Sequence, residues 1–239
     1  MKQVYVWPPV WIPNPIMWSN YPQAWQQLSW GAFYKNTGII TASCIVGILL
    51  SCSMAAYAFA RLRFPGRDAI FVTLLGTMML PSQVTMIPLF MFFAKLGWVN
   101  TYKPLTVPSW FGHAFFIFML RQFFMTIPRE LDDAARIDGC SRLGIFWRIL
   151  LPLSKPALAI AAVFTFTSNW NDFMQPLIYI QSMSKFTVQL GLRAYQHPTY
   201  HDEAATMAMT VVSIIPQLVV FFLAQRSLIR GVVLTGIKG

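Results

Sequence analysis

Four of the chain's eight acidic residues fall within ELDDAARIDG, a stretch that opens at Glu130 in a sequence of 239 residues. Glu130, Asp132, Asp133 and Asp138 are ready acceptors for charge-assisted hydrogen bonds. Ala134 and Ala135, set among them, are small enough to let a second surface come close. Such residues suit docking onto basic or backbone donors. The competing account is a solvated loop whose acids balance nearby arginines, as charge runs commonly do.

A second polar island is SNWND, Ser168 to Asp172, inside an apolar run. Asn169, Asn171 and Asp172 are candidates to line a path for a polar solute, because polar groups at membrane depth face cavities or mark function. The alternative is that they cap a helix break and bond to backbone. His113 also stands in an apolar run. With no second acid or histidine beside it, it reads as a packed neutral side chain. Cys44, Cys52 and Cys140 lack paired or metal-ligand spacing and read as packing residues or inert thiols. The sequence contains no G-x-x-x-x-G-K-[ST] phosphate cradle, so nucleotide binding is not expected of it. No catalytic residue, metal or cofactor is expected either.

The elements that must hold these groups are membrane helices. The chain is 56% hydrophobic and 11% charged, with mean hydropathy +0.53, whereas a soluble domain carries about 25% charged residues. The net charge of +10 does not point to nucleic acid. The few cations lie mostly between apolar stretches, where they set orientation at a membrane surface. A spanning helix needs about 20 mostly apolar residues, and five stretches qualify. They are Thr37 to Ala60, Ala69 to Ala94 (broken by Pro81 and Pro88), Leu105 to Met125, Leu153 to Ile180, and Ala205 to Leu228 with Pro216 inside. The first carries Ser43, Gly47, Ser51 and Ala55 at every fourth position, a face for close helix packing. The fold expected is an all-α polytopic membrane helix bundle.

Cations orient it. Arg61, Arg63, Arg67, Arg129, Arg136, Arg142, Arg148, Lys155, Arg226, Arg230 and Lys238 fall on one side, and Lys2, Lys35, Lys95, Lys103, Lys185 and Arg193 on the other. Arg121, near the end of its span, can snorkel to the richer side. The positive-inside rule makes that side cytoplasmic. The amino terminus of the chain is then outside and the carboxyl terminus inside. Residues 1–36, cut by Pro8, Pro9, Pro13 and Pro15, form an extended external segment. Trp7, Trp11, Trp18, Trp25 and Trp30 in it suit an interfacial belt. An external amino terminus without a signal calls either for a helix upstream of this sequence, the reading preferred, or for a short segment that translocates without one. Residues 37–239 form the transmembrane domain.

The acidic stretch then lies in a cytoplasmic loop, residues 128–152. Pro128 suits the first helical position, Glu130, Asp132 and Asp133 favour the positive end of the helix dipole, and Gly139 supplies a left-handed stop. A helix of about three turns would align Leu131, Ala134, Ala135 and Asp138 on one flat face. Ser141 can cap a second short helix with Leu143, Phe146, Trp147 and Leu150 as its apolar stripe.

Asp133-Ala-Ala-x3-Gly-x9-Ile-x-Leu-Pro152 resembles the EAA motif of bacterial ABC importer permeases, with Asp133 where that family usually has Glu. AAYAFARLRFPGR, LPSQVTMIPLF, IPRELDDAARIDG, LPLSKPALA, NWNDFMQPL and the terminal GIKG resemble the carbohydrate-uptake branch that holds the smaller maltose permease subunit. The likeness runs through almost the whole chain in order. It implies a six-helix core, with residues 1–36 following a first helix that is absent here. It implies a permease for sugars or oligosaccharides that pairs with a second permease, a cytoplasmic ATPase dimer and an extracytoplasmic solute-binding protein. It makes the loop a coupling helix, with Glu130, Asp133, Ala134, Ala135, Asp138, Gly139, Ile149, Leu151 and Pro152 toward the ATPase. The alternatives are a secondary transporter driven by an ion gradient, which predicts more acids within the spans and an internal repeat, or an inactive truncated permease.

Overall fold

A computed structural model describes residues 7, 11–12, 14–197 and 200–236. Lys2, Pro8, Pro9, Pro13 and Lys238 lie outside them. The order is α1 (Asn20–Gln27), α2 (Trp30–Arg61), α3 (Arg67–Gly76), α4 (Ser82–Lys95), α5 (Lys103–Thr106), α6 (Ala114–Thr126), α7 (Glu130–Ile137), α8 (Arg142–Ile145), α9 (Leu151–Leu153), α10 (Lys155–Trp170), α11 (Met174–Tyr179), α12 (Val188–Ala194) and α13 (Glu203–Gly236). A two-residue antiparallel pairing, β1 (Gln196–His197) with β2 (Tyr200–His201), precedes α13.

α2 is the central post. It packs on α6, on α10 and on the 3-10 turn Val107–Phe111, and α10 packs in turn on α13. It runs 32 residues, about 48 Å, and begins at Trp30, ahead of the expected Thr37. Its small-residue face works as its spacing predicts. Trp110 donates to Ser43 Oγ at 3.3 Å, and Ser51 Oγ donates to the Ser109 carbonyl at 3.3 Å. A Cβ on Gly47 would sit 2.9 Å from the Trp110 ring. What approaches that face is the 3-10 turn rather than a regular helix.

Among the described residues two helices, Trp30–Arg61 and Glu203–Gln225, are long and apolar enough to cross a membrane, and the number rises to as many as five if each bent pair is one span. The second expected span bends by 97° between Arg67–Met79 and Ser82–Lys95. Pro81 sits in the break in extended backbone, whereas Pro88 lies inside α4 and Pro216 inside α13 without ending either. The third is not one helix from Leu105 to Met125. Pro108 and Gly112 break it, and Gly112 takes φ +92° before α6 restarts. The fourth starts at Lys155, since the chain turns by 77° between Arg142–Leu153 and α10, and it breaks between Trp170 and Met174.

Two cores hold the bundle. One joins Cys52, Ala56, Leu120, Phe124, Phe146 and Leu150 at the Arg61 end of α2. The other gathers Trp30, Phe33, Trp170 and Tyr195 at its opposite end. There Trp30 Nε1 donates to the Tyr195 hydroxyl at 2.8 Å. Trp30 is therefore a core residue, unlike Trp7, Trp11 and Trp18, which are exposed. Large apolar side chains also cover the outside, Val72, Val84, Ile87, Phe222 and Leu223 among them, as a surface solvated by lipid requires. Cys44, Cys52 and Cys140 are all free thiols.

Candidate functional site

α7 is shorter than the three turns expected. Pro128 stands before the cap rather than in the first turn, because Arg129 occupies the cap position and Glu130 opens the helix. The eight residues close at Gly139, whose φ is +78°. Cys140 N–H donates to Ala135 O at 2.8 Å and Gly139 N–H to Arg136 O at 3.0 Å, the paired bonds of a Schellman stop. A residue other than glycine would be strained there.

The face predicted to be flat is divided. Ala135 is buried while Ala134 is exposed, since neighbours on a helix diverge by about 100°. Asp132 turns inward with Ala135 and is only 4% exposed. Glu130, Asp133, Ala134 and Ile137 point outward, Ile137 at 87% exposure. Leu131 is 41% exposed, and Asp138 and Gly139 are exposed. Asp133 pairs with Arg136 at 3.1 Å on the open side, an exposed contact of little energetic weight.

Asp132 turns inward to meet Arg61. Arg61 Nε lies 3.5 Å from Asp132 Oδ2, and both side chains are nearly sealed from solvent. Arg61 Nη2 also donates to the carbonyls of Phe124 (2.9 Å) and Ile127 (2.7 Å). One guanidinium thus ties the end of α2, the end of α6 and the inner face of α7. In the sequence Arg61 stands out only as an orienting cation. No local pattern pairs it with Asp132, because the contact is tertiary.

Ser141 caps α8 as its position predicts, accepting from Gly144 N–H at 3.1 Å. The stripe beyond it differs from expectation. Ile145, Phe146 and Leu150 are buried, while Leu143 and Trp147 are exposed. Beyond Ile145 the chain makes a π-helical turn over Phe146–Leu150, whose i→i+5 hydrogen bonds depart from the 3.6-residue register. Ile149 and Leu151 are half-buried and Pro152 is exposed. Tyr57 fixes this segment by donating to the Arg142 carbonyl at 3.0 Å.

Within the bundle lies a cavity of about 420 Å³ bordered by Ser109, His113, Ser168, Asn169, Asp172 and Gln175, with the rings of Phe93, Phe115, Phe164 and Tyr179 around them. Asn169 and Asp172 reach it, and Asn171 does not. Asn171 exchanges amide hydrogen bonds with Gln217 of α13, at 3.2 and 2.8 Å. Asp172 Oδ1 also accepts from Gln175 N–H at 3.2 Å, and Asn169 Nδ2 donates to Thr165 O at 2.9 Å. The backbone-capping account therefore holds for these bonds, and the cavity is added to it. His113, separated from Asp172 in sequence, shares the cavity and packs on Phe116, ring centroids 5.3 Å apart. Pro108 and Gly112 were the available signals that the chain breaks near His113.

A polytopic helix bundle with a cavity of mixed aromatic and polar lining among its helices and an acidic helix held at one end fits a membrane transport subunit. The chain belongs to the family described as "Binding-protein-dependent transport system inner membrane component", which matches residues 47–233. It is a permease subunit of an ABC importer of the bacterial inner membrane, a class that works with an ATPase and a substrate-binding protein. It is 37% identical over 207 residues to the arabinooligosaccharides transport system permease protein AraQ of Halalkalibacterium halodurans, covering 87% of this chain and 74% of that protein. It is 35% identical over 242 residues to the sn-glycerol-3-phosphate transport system permease protein UgpE of Yersinia pestis bv. Antiqua, covering 97% and 85%. A solved bacterial ABC transporter involved in the import of the acidic polysaccharide alginate matches with TM-score 0.79 and 27% identity, over 91% of this chain and 80% of that one.

Proposed function

We propose that this permease carries a neutral sugar or oligosaccharide, paired with a second permease subunit, supplied by an extracytoplasmic solute-binding protein and driven by an ATPase dimer gripping α7. The amino terminus of this chain lies outside and the carboxyl terminus in the cytoplasm, as the cation bias requires. The chain neither binds nor hydrolyses nucleotide. One observation carries the coupling role. α7 presents Glu130, Asp133, Ala134 and Ile137 outward while Arg61 and Asp132 hold its inner face to the bundle. A force on the outer face is thereby delivered to α2 and α6. Moving a two-state population from 1:99 to 99:1 takes about 5.5 kcal/mol of differential binding, which nucleotide binding to the ATPase would supply.

The substrate class follows from the cavity lining. Rings of Phe115 and Phe164 offer stacking faces, while Asn169, Asp172 and Gln175 offer hydroxyl partners. No Lys or Arg is among the described lining residues, and Asp172 adds negative charge. That lining disfavours an anion such as the glycerol phosphate of one relative or the acidic polysaccharide of the alginate importer, because an unpaired like charge repels.

The docking role is tested by Asp133→Lys, which reverses the outward charge, and by Gly139→Pro, since proline cannot adopt the positive φ at this stop. Both are expected to lose ATPase co-purification or its stimulation by loaded binding protein, with the bundle's melting temperature unchanged. Full ATPase retention and stimulation in both variants sinks the docking role.

A further inference from the structure

Beside α7 lies an open cleft of about 730 Å³ whose wall carries Arg61, Arg63, Arg129, Arg136 and Arg142 against Asp132 and Asp133. Arg61 is engaged by Asp132 and Arg136 by Asp133. Arg63, Arg129 and Arg142 have no carboxylate within 4.0 Å among the described residues. Three like charges around one recess focus a positive potential that favours an anion. Guanidinium forks match the oxygens of a phosphate bidentately.

Arg63 also borders a second recess of about 370 Å³ with Gly66, Arg67, Asp68 and Ala69, where Asp68 pairs with Arg67 at 2.8 Å and leaves Arg63 as its free cation among the described residues. From that recess α3 rises with Ala69 and Val72, three residues apart on one face, both exposed, Val72 at 67%. The basic floor therefore runs directly into an apolar helix face at the end of the bundle. A free phosphate would use only the floor, whereas a phospholipid would use both. Basic pockets between spans at the cytoplasmic surface attract acidic headgroups.

We propose that Arg63, Arg129 and Arg142 bind the phosphate of an acidic phospholipid, with an acyl chain laid along Ala69 and Val72. The proposal rests on the permease reading only in placing this end at the cytoplasmic leaflet. It assigns the three arginines a lipid rather than the ATPase.

The test uses the assembled importer in nanodiscs of phosphatidylcholine with a minor share of phosphatidylglycerol, counting co-purifying lipids by native mass spectrometry. The wild type is expected to keep phosphatidylglycerol above its share of the bilayer. The variant Arg63→Gln/Arg129→Gln/Arg142→Gln is expected to fall to that share and to retain its ATPase, which also shows that it folds. Lys substitution at the same three positions is expected to keep part of the enrichment, and Lys35→Gln at the far end of α2 all of it. Equal enrichment in wild type and the Gln variant overturns the proposal. So does displacement of the lipid by inorganic phosphate at matched phosphate concentration, which would mark a free-anion site. Loss of the ATPase with lipid enrichment intact overturns it too, because the cleft would then be a protein surface. The docking role of α7 is read separately, by ATPase retention in Asp133→Lys.

Discussion

Asp132 and Asp172 are both acids withdrawn from bulk water, and the chain holds them in opposite ways. Asp132 faces a buried guanidinium that is itself bonded to two helix-end carbonyls. Asp172 has a backbone N–H from Gln175 and a cavity without a cation among its described lining residues. A buried charge with an opposite charge beside it has been neutralised in place, and its work is to hold elements together. One satisfied only by backbone dipoles keeps acceptor capacity for something that enters. The first arrangement fixes α7 to the bundle. The second leaves a polar group available at the point where α10 breaks.

The comparison breaks most readily at Asp132. Asp132→Leu leaves Arg61 buried without a counter-charge, and breaking one side of a buried pair costs about 3–5 kcal/mol. The expected readout is a large drop in melting temperature and yield of the complex. Arg61→Leu/Asp132→Leu removes both charges and is expected to recover much of that loss, since apolar replacement of a buried pair is often near neutral. The double variant should nevertheless transport less sugar per ATP hydrolysed, because the tie from α7 to the α6 carbonyls is gone. A double variant as unstable as the single, or one with normal coupling, removes the distinction.

Asp172 should answer in the other currency. Asp172→Asn keeps an acceptor for Gln175 N–H and removes the charge, so the melting temperature should stay near that of the wild type. Uptake of a neutral oligosaccharide is expected to fall about tenfold, the loss of ~1.4 kcal/mol from one polar contact in the path. Radiolabelled uptake in vesicles with binding protein present measures it. Unchanged uptake would return Asp172 to the role of a helix cap.

How far these two acids were legible in the sequence depends on the range of the contact involved. The stop at Gly139, the cap at Ser141 and the acidic first turn of α7 follow from neighbours a few residues away, and sequence pattern reports such neighbours directly. The apolar runs around α2 and α13 were legible by length alone. The inward turn of Asp132 was not, because its cause, Arg61, is brought there by packing of α2 on α6. The π turn at Phe146–Leu150 and the 97° bend after Met79 also escaped. A hydrophobic stripe assumes one helical period, and a proline marks a break without giving its angle. Of SNWND, the pattern located the interruption without sorting its three polar side chains between cavity and bundle.

That sorting yields the smallest effect. Asn171 lies next to Asp172 and turns away, pairing with Gln217 across to α13 through two amide bonds. The side chain is exposed, so each bond contributes only about 0.5–1.5 kcal/mol net. Asn171→Ala is therefore expected to lower the melting temperature slightly and to leave sugar uptake per assembled complex unchanged. Gln217→Ala should produce a smaller shift, because Asn171 Nδ2 also donates to Thr167 O at 2.9 Å, and the double variant no more than Asn171→Ala alone, since that single already empties the pair. A fall in uptake like that of Asp172→Asn would place Asn171 in the path after all. The line between holding and handling would then run somewhere other than between these two adjacent residues.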